Sequence, residues 1–145
     1  MNLFGAIIFW TLLITFFVKL VSELLNLKAA DAGVPDEFVG LFDEAAYRKS
    51  RDYLRTSTRF SLFGAAVDLS LLLLFWFSGG FNLLDQFLRG YGFHPIVCGV
   101  LYIGVLLLLQ SLIDLPFSLY KTFVIEEKFG FNKTTPALFA AAQFP

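Results

Sequence analysis

Residues Leu115 to Lys133 read LPFSLYKTFVIEEKFGFNK, and this stretch decides how the chain is to be read. Up to Tyr120 it is the end of a long apolar run. From Lys121 it turns aqueous, with Glu126, Glu127, Lys128 and Lys133 set among Phe123, Val124, Ile125 and Phe129. Gly130 offers a break, and Asn132 is a short polar side chain suited to a turn. The expectation is a membrane helix that leaves the bilayer near Lys121 and runs into a charged loop. An ordinary exit loop and a functional one remain open at this level, because loops only sometimes carry function.

Working outward, the preceding run Gly90 to Ile113 holds no Asp, Glu, Lys or Arg, and predicts a span over about 95–120. Pro116 should kink it near Leu112, because proline removes a backbone bond. Phe60 to Phe77 predicts a second span, reaching about residue 80. Leu3 to Val18 predicts a first one, continuing to about Leu25, since crossing takes about 20 residues. A cleaved signal peptide would begin with a basic region and end at small residues. No basic residue precedes Leu3 here, so a retained helix is favoured. Between spans two and three, Ser78, Gly79, Gly80 and Asn82 read as helix breakers. Leu83 to Phe93 then reads as a short connection.

The hydrophilic block runs from Lys28 to Arg59. Ala29 to Gly33 reads as a loop, and Pro35, Asp36 and Glu37 as a helix start. Phe38, Leu41, Phe42 and Ala45 fall on one apolar face, giving a cytosolic amphipathic helix. Glu44, Arg48 and Asp52 lie four apart and can pair. Arg51, Arg55 and Arg59 form a basic stripe that approaches the membrane. It is either a solvated face or a contact for anionic headgroups, each worth about 1 kcal/mol per residue near the surface. Thr134, Thr135 and Pro136 read as a cap and start for a further helix.

Composition agrees with an all-α integral membrane protein. Of 145 residues 57% are hydrophobic and only 16% charged, with 19 Phe. Charged residues usually make up about 25% of a soluble domain. A net charge of −1 gives no reason to expect nucleic acid. The single Cys98 cannot form an internal disulfide and reads as a small packing residue. Lys and Arg concentrate in the first loop and the exit stretch, while the second loop holds only Arg89. The positive-inside rule then puts the first loop and exit stretch in the cytoplasm, and the N-terminus outside or lumenal.

Three polar residues interrupt the apolar runs. A carboxylate such as Asp68 costs roughly 2.5–3.5 kcal/mol at mid-membrane, so it should face protein or water. Gln110 and Asp114 are four apart and share a helix face. Asp68 and Asp114 lie roughly 13 and 10 Å inside their spans at 1.5 Å per residue. A hydrogen-bonded structural pair and the lining of a polar cavity are both open.

The exit stretch, with Thr134 and Thr135 after it, resembles the membrane-exit motif of the type I CAAX prenyl proteases. Tyr47, Ser50, Arg51 and Tyr53 in YRKSRDYLRTSTRFSLF resemble the signature that precedes that family's second membrane helix. The resemblance covers about Leu24 to Thr135. It implies the N-terminal membrane part of a membrane-embedded zinc metalloendopeptidase, built as a larger helical barrel in the bacterial inner membrane or the endoplasmic reticulum. It implies zinc in the full-length protein, with a peptide or prenylated protein as substrate and a separate catalytic half as partner. It further implies that Asp68, Gln110 and Asp114 line a water-filled chamber. Glu126, Glu127, Lys128, Gly130 and Asn132 would stand at its cytosolic mouth.

The residues in hand cannot themselves supply that chemistry. A zincin needs two histidines four apart with a glutamate between them. This sequence has one histidine, His94, followed by Pro95, so no HExxH can be written in it. No catalytic or metal residue is therefore assigned, and no cofactor is expected in these residues alone. The competing function class is a non-catalytic membrane scaffold or subunit.

Overall fold

The computed structural model describes residues 2–31, 44–132, 134–135 and 138–139. Its elements are α-helices: α1 (Leu3–Asp31), α2 (Glu44–Phe77), α3 (Gly80–Arg89) and α4 (Pro95–Tyr120). A π-helical segment, Lys121–Glu126, carries α4 onward. Three of the helices are long and apolar enough to cross a membrane: Leu3–Ala30, Glu44–Phe77 and Pro95–Glu126. The predicted spans are therefore all present, and the chain is all-α among the described residues. Large apolar side chains such as Phe4, Trp10, Val100, Ile103 and Leu107 stay exposed. In water that would be untenable over so large an area. In a bilayer those side chains meet hydrocarbon, and helices satisfy their own backbone groups.

Three expectations need correction. The first helix runs beyond Leu25, through Lys28 to Asp31, so Ala29 and Ala30 are helical. The reason is compositional: KLVSELLNLKAAD contains no Gly or Pro, and Leu, Lys, Glu and Ala are strong helix formers. The second span begins inside a helix that already starts at Glu44. The amphipathic segment opened by Pro35, Asp36 and Glu37 lies outside the described residues, apart from Ala45 in the first turn of α2. The connection after Phe77 is not a loop but the ten-residue α3.

The chain divides into two compact units: Met1–Phe17 with Phe63–Phe117, and Val18–Leu62 with Ser118–Pro145. In the first, Phe9 meets Phe77 edge-on at 6.0 Å. Phe63 and Phe117 pair at 6.2 Å, and Gly64 lies against the Phe117 ring. At the far end of α2 the chain reverses at Gly79, which takes the left-handed φ of 78°. That conformation is cheap only for glycine. Gly80 is small for a different reason, since a Cβ there would lie 2.4 Å from the Phe75 ring. Phe75 and Phe81 then meet edge-to-face at 4.8 Å across the elbow. Asp85 and Arg89 form an exposed ion pair along α3. The hydrogen bond and the charge of Asp85 raise the Arg89 pKa.

His94 caps α4. Its Nδ1 accepts the Ile96 N–H at 3.4 Å, and its carbonyl accepts from Cys98. Pro95 then occupies the first helical position, where its missing N–H costs nothing.

In the second unit, Phe60 stacks on Tyr120 at 4.9 Å. Just before it, in the first unit, Pro116 sits inside α4, which remains one helix across it. The change of winding comes later, at Lys121–Glu126, where the ring of each hydrogen bond widens. Leu138 and Phe139 are helical, and Thr135 Oγ1 accepts the Leu138 N–H at 3.3 Å. That is the cap read from the sequence.

Candidate functional site

Two groups of residues carry polar chemistry into otherwise apolar surroundings. The first lies in the unit built on Phe63–Phe117. A cavity of about 530 Å³ opens between α2 and α4, and its walls are mostly leucine and phenylalanine. Asp68 and Gln110 line it, with Ser78 at the α2 terminus. The positions follow from helix geometry: Asp68, Leu71, Leu72 and Phe75 fall on one face of α2, and Leu106, Leu109, Gln110 and Ile113 on one face of α4. Asp68 is partly buried, and its Oδ1 is withdrawn from solvent. The Gln110 Nε2–H donates to Asp114 Oδ2 at 3.1 Å. Asp114 is thus joined to the cavity through Gln110 and is not itself a wall of it. The structure brings two of the three sequence candidates to one cavity and attaches the third by a hydrogen bond.

The second group lies in the other unit, where the exit stretch folds back on the start of α2. The expected loop is helical as far as Lys128. Glu and Lys are good helix formers, and nothing before Gly130 interrupts them. The stop at Gly130 is as the sequence read. Gly130 has φ 67° and donates its N–H to the Glu127 carbonyl at 2.9 Å. The Phe131 N–H reaches the Glu126 carbonyl at 2.9 Å. This pair of bonds is a Schellman motif, which satisfies carbonyls that a helix end leaves open. Asn132 completes the turn. Its Nδ2 donates to Glu127 Oε2 at 3.0 Å, and its Oδ1 accepts the Thr134 N–H at 2.7 Å.

Tyr53 of α2 holds this turn from the other side. Its ring lies 5.7 Å from Phe129 and 4.8 Å from Phe131. Lys49, one turn earlier on α2, places its Nζ 5.5 Å from the centre of the Phe131 ring. Lys128 does the same over Phe129 at 5.6 Å. The two stretches singled out in the sequence are therefore in contact with each other. Sequence reasoning missed Lys49, although its four-residue spacing from Tyr53 places both on one face. Glu126 is half-buried, while Glu127 and Lys128 are exposed. Of the basic stripe, Arg59 is exposed and Arg51 and Arg55 are half-buried. The Arg51 Nε is buried.

Among the described residues no three His, Cys, Asp or Glu side chains gather as a metal site. The zinc implied by the resemblance does not fit the donors present. His94, the one histidine, has its Nδ1 engaged as a helix cap.

These features define an integral membrane helical protein in which two crossing helices each bring a polar group to one cavity. Residues 23–144 match a family model described as CAAX prenyl protease N-terminal, five membrane helices, and the chain belongs to that family. It is 34% identical over 122 residues to CAAX prenyl protease 1 of Saccharomyces cerevisiae, covering 77% of this chain and 27% of that protein. It is 32% identical to the CAAX prenyl protease 1 homolog of Homo sapiens, covering 95% of this chain and 31% of that protein. The crystal structure of S. mikatae Ste24p superposes with a TM-score of 0.83 at 26% identity, covering 98% of this chain and 35% of the other. The chain therefore spans between a quarter and about a third of these relatives. It corresponds to their N-terminal membrane region.

Proposed function

We propose that these residues form a wall of the substrate chamber in an integral-membrane zinc endopeptidase that processes CAAX-type C-termini. In this reading Asp68 and Gln110 face the chamber water, and Asp114 is tied to it through its hydrogen bond with Gln110. The substrate is a peptide or a prenylated protein, and zinc is held by residues outside this sequence. The first loop and the exit turn lie in the cytoplasm and the α3 side in the lumen. By relation to the eukaryotic proteases the membrane is the endoplasmic reticulum. Arg59 is the residue of the basic stripe best exposed to meet anionic headgroups.

One observation carries the reading. The family match over residues 23–144 includes both helices that bear Asp68, Gln110 and Asp114. Polar groups on membrane-spanning helices are costly unless they face protein or water. A water-filled chamber would meet that requirement.

The exit turn would then brace the cytosolic mouth. Glu126, half-buried here, is the residue best placed to pair with groups outside this sequence. Breaking one partner of a buried pair costs about 3–5 kcal/mol, whereas an exposed pair contributes ~0–1 kcal/mol.

The test uses the full-length protein and a prenylated CAAX peptide. Chelatable hydrolysis is expected, with loss of thermal stability and cleavage in the Glu126→Ala/Glu127→Ala double variant. A zinc-loaded protein that leaves the peptide intact contradicts the proposed activity. A double variant that melts and cleaves as the parent does contradicts the brace alone.

A further inference from the structure

We propose that α3 is an interfacial membrane anchor, whose uncovered face sits among the glycerol and headgroup region of the bilayer. The helix is the most amphipathic of the four. Its apolar arc is wider than the protein behind it. Phe81, Leu84 and Leu88 form the inner part of that arc, with Leu88 only 7% exposed. Leu83 and Phe87, four apart on the adjoining strip, are 71% and 60% exposed. Asn82, Asp85, Gln86 and Arg89 occupy the remaining arc, where Asp85 and Arg89 pair at 2.8 Å.

The depth of α3 is set by two contacts with α4. The Tyr102 hydroxyl donates to the Phe81 carbonyl at 3.5 Å. The Cys98 thiol lies 3.9 Å from the Leu88 carbonyl. Tyr102 is roughly 10 Å along α4 from Pro95, and Cys98 roughly 4.5 Å, at 1.5 Å per residue. Two positions seven residues apart on α3 therefore meet two positions four residues apart on α4. The helix lies beside the first turns of α4, at the end of the spans where α2 ends and α4 begins. Leu83 and Phe87 are as exposed as Phe77, Ile96 and Val100 at the ends of those two spans.

A run of aromatics extends the same strip. Phe87 and Tyr91 meet at 5.3 Å, and Tyr91 and Phe93 at 5.8 Å, with Tyr91 61% exposed. Amphipathic rings of this kind favour the headgroup level. A short helix with aromatic and leucine side chains on one strip and charge on another is suited to lie there. The occupant proposed is lipid, because the ring contacts carry the strip from Phe87 through Tyr91 and Phe93 to the start of α4, a helix long and apolar enough to cross a membrane.

The experiment is site-directed spin labelling of the full-length protein in phospholipid nanodiscs. Leu83→Cys, Phe87→Cys and Asp85→Cys are labelled singly. The native thiol at Cys98 is buried, so it stays in place and the unsubstituted protein supplies the background. Collision with oxygen and with a water-soluble nickel chelate is read at each site. The expected result is preferential collision with oxygen at 83 and 87, at a shallow depth, and with nickel at 85. Preferential collision with nickel at 83 and 87 would overturn the proposal, placing the strip in water. Exclusion of both reagents there would overturn it too, placing the strip under another protein segment. Leu83→Trp and Phe87→Trp, quenched by lipids brominated near the headgroup, give the same readings for any cysteine variant that does not fold. Strong quenching supports the anchor, and no increase over the native tryptophans refutes it.

Discussion

The rings of Tyr53 and Phe131 lie 4.8 Å apart, centre to centre, although they are far apart in the sequence. One belongs to the first turns of α2 and the other to the turn that ends the exit helix. Phe129 closes on the same tyrosine from the other side of Gly130. A left-handed glycine between two phenylalanines thus lets both rings reach one partner.

That contact predicts coupling between the two motifs. Aromatic pairs contribute about 0.5–1.5 kcal/mol beyond the area they bury. A double-mutant cycle of Tyr53→Leu and Phe131→Leu, read by thermal denaturation in detergent, should give a coupling in that range. Additive effects would mean that the rings are neighbours without mutual stabilisation.

Gly130→Ala tests the turn itself. Its φ of 67° costs an L-residue about 1–2 kcal/mol. Among the described residues a Cβ there would meet only the Lys49 Nζ, at 3.4 Å, and that flexible end can move aside. The expected loss is therefore the backbone cost alone, and Gly130→Asn should recover part of it. Equal melting temperatures for Gly130→Ala and the parent would remove the Schellman motif from the account.

Gly80 and Gly99 make a contrasting pair within helices. A Cβ at Gly80 would sit 2.4 Å from the Phe75 ring, whereas at Gly99 nothing among the described residues lies within 4 Å. Overpacking costs about 1–3 kcal/mol, while Ala improves on Gly in an open helix position by up to about 1 kcal/mol. Gly80→Ala should therefore lower the melting temperature, and Gly99→Ala should hold or raise it. The same sign for both would refute the tight elbow.

Orientation is tested by thiol labelling of intact membranes. Glu44→Cys is expected to react with a reagent supplied from the cytoplasm, and Asp85→Cys to be protected. Both positions are accessible in the fold, with side chains 80% and 43% exposed. The reverse pattern would invert the topology read from the lysine and arginine distribution.

The spans are legible in the sequence because a lipid-facing helix needs an unbroken apolar run of membrane length, and a helix in water cannot carry one exposed. The helix α3 is not legible, and the cause is specific. Ser78, Gly79, Gly80 and Asn82 all read as breakers, yet among them only Gly79 adopts a left-handed conformation and turns the chain. Gly80 is a packing glycine inside the first turn, a role that only the position of Phe75 reveals. The pairs Leu83 with Phe87 and Leu84 with Leu88 carry a helical signal that the neighbouring glycines mask. The exit stretch misleads in the opposite sense: its charges mark departure from the apolar run, but charge does not end a helix. Asp68 and Gln110 stand out as polar interruptions. Their meeting at one cavity depends on the register of α2 against α4, which no single stretch encodes.

The most direct test of the chamber wall is water access at Gln110 in the full-length protein. Gln110→Cys is compared with Leu108→Cys and Leu112→Cys, which point to the opposite side of α4 by helix geometry and are exposed apolar positions here. A membrane-impermeant maleimide should modify position 110 and leave 108 and 112 unmodified, and bound substrate peptide should slow the reaction at 110. Labelling at 110 no faster than at 108 and 112, or unaffected by the peptide, would contradict the placement of Gln110 and Asp68 in a substrate chamber.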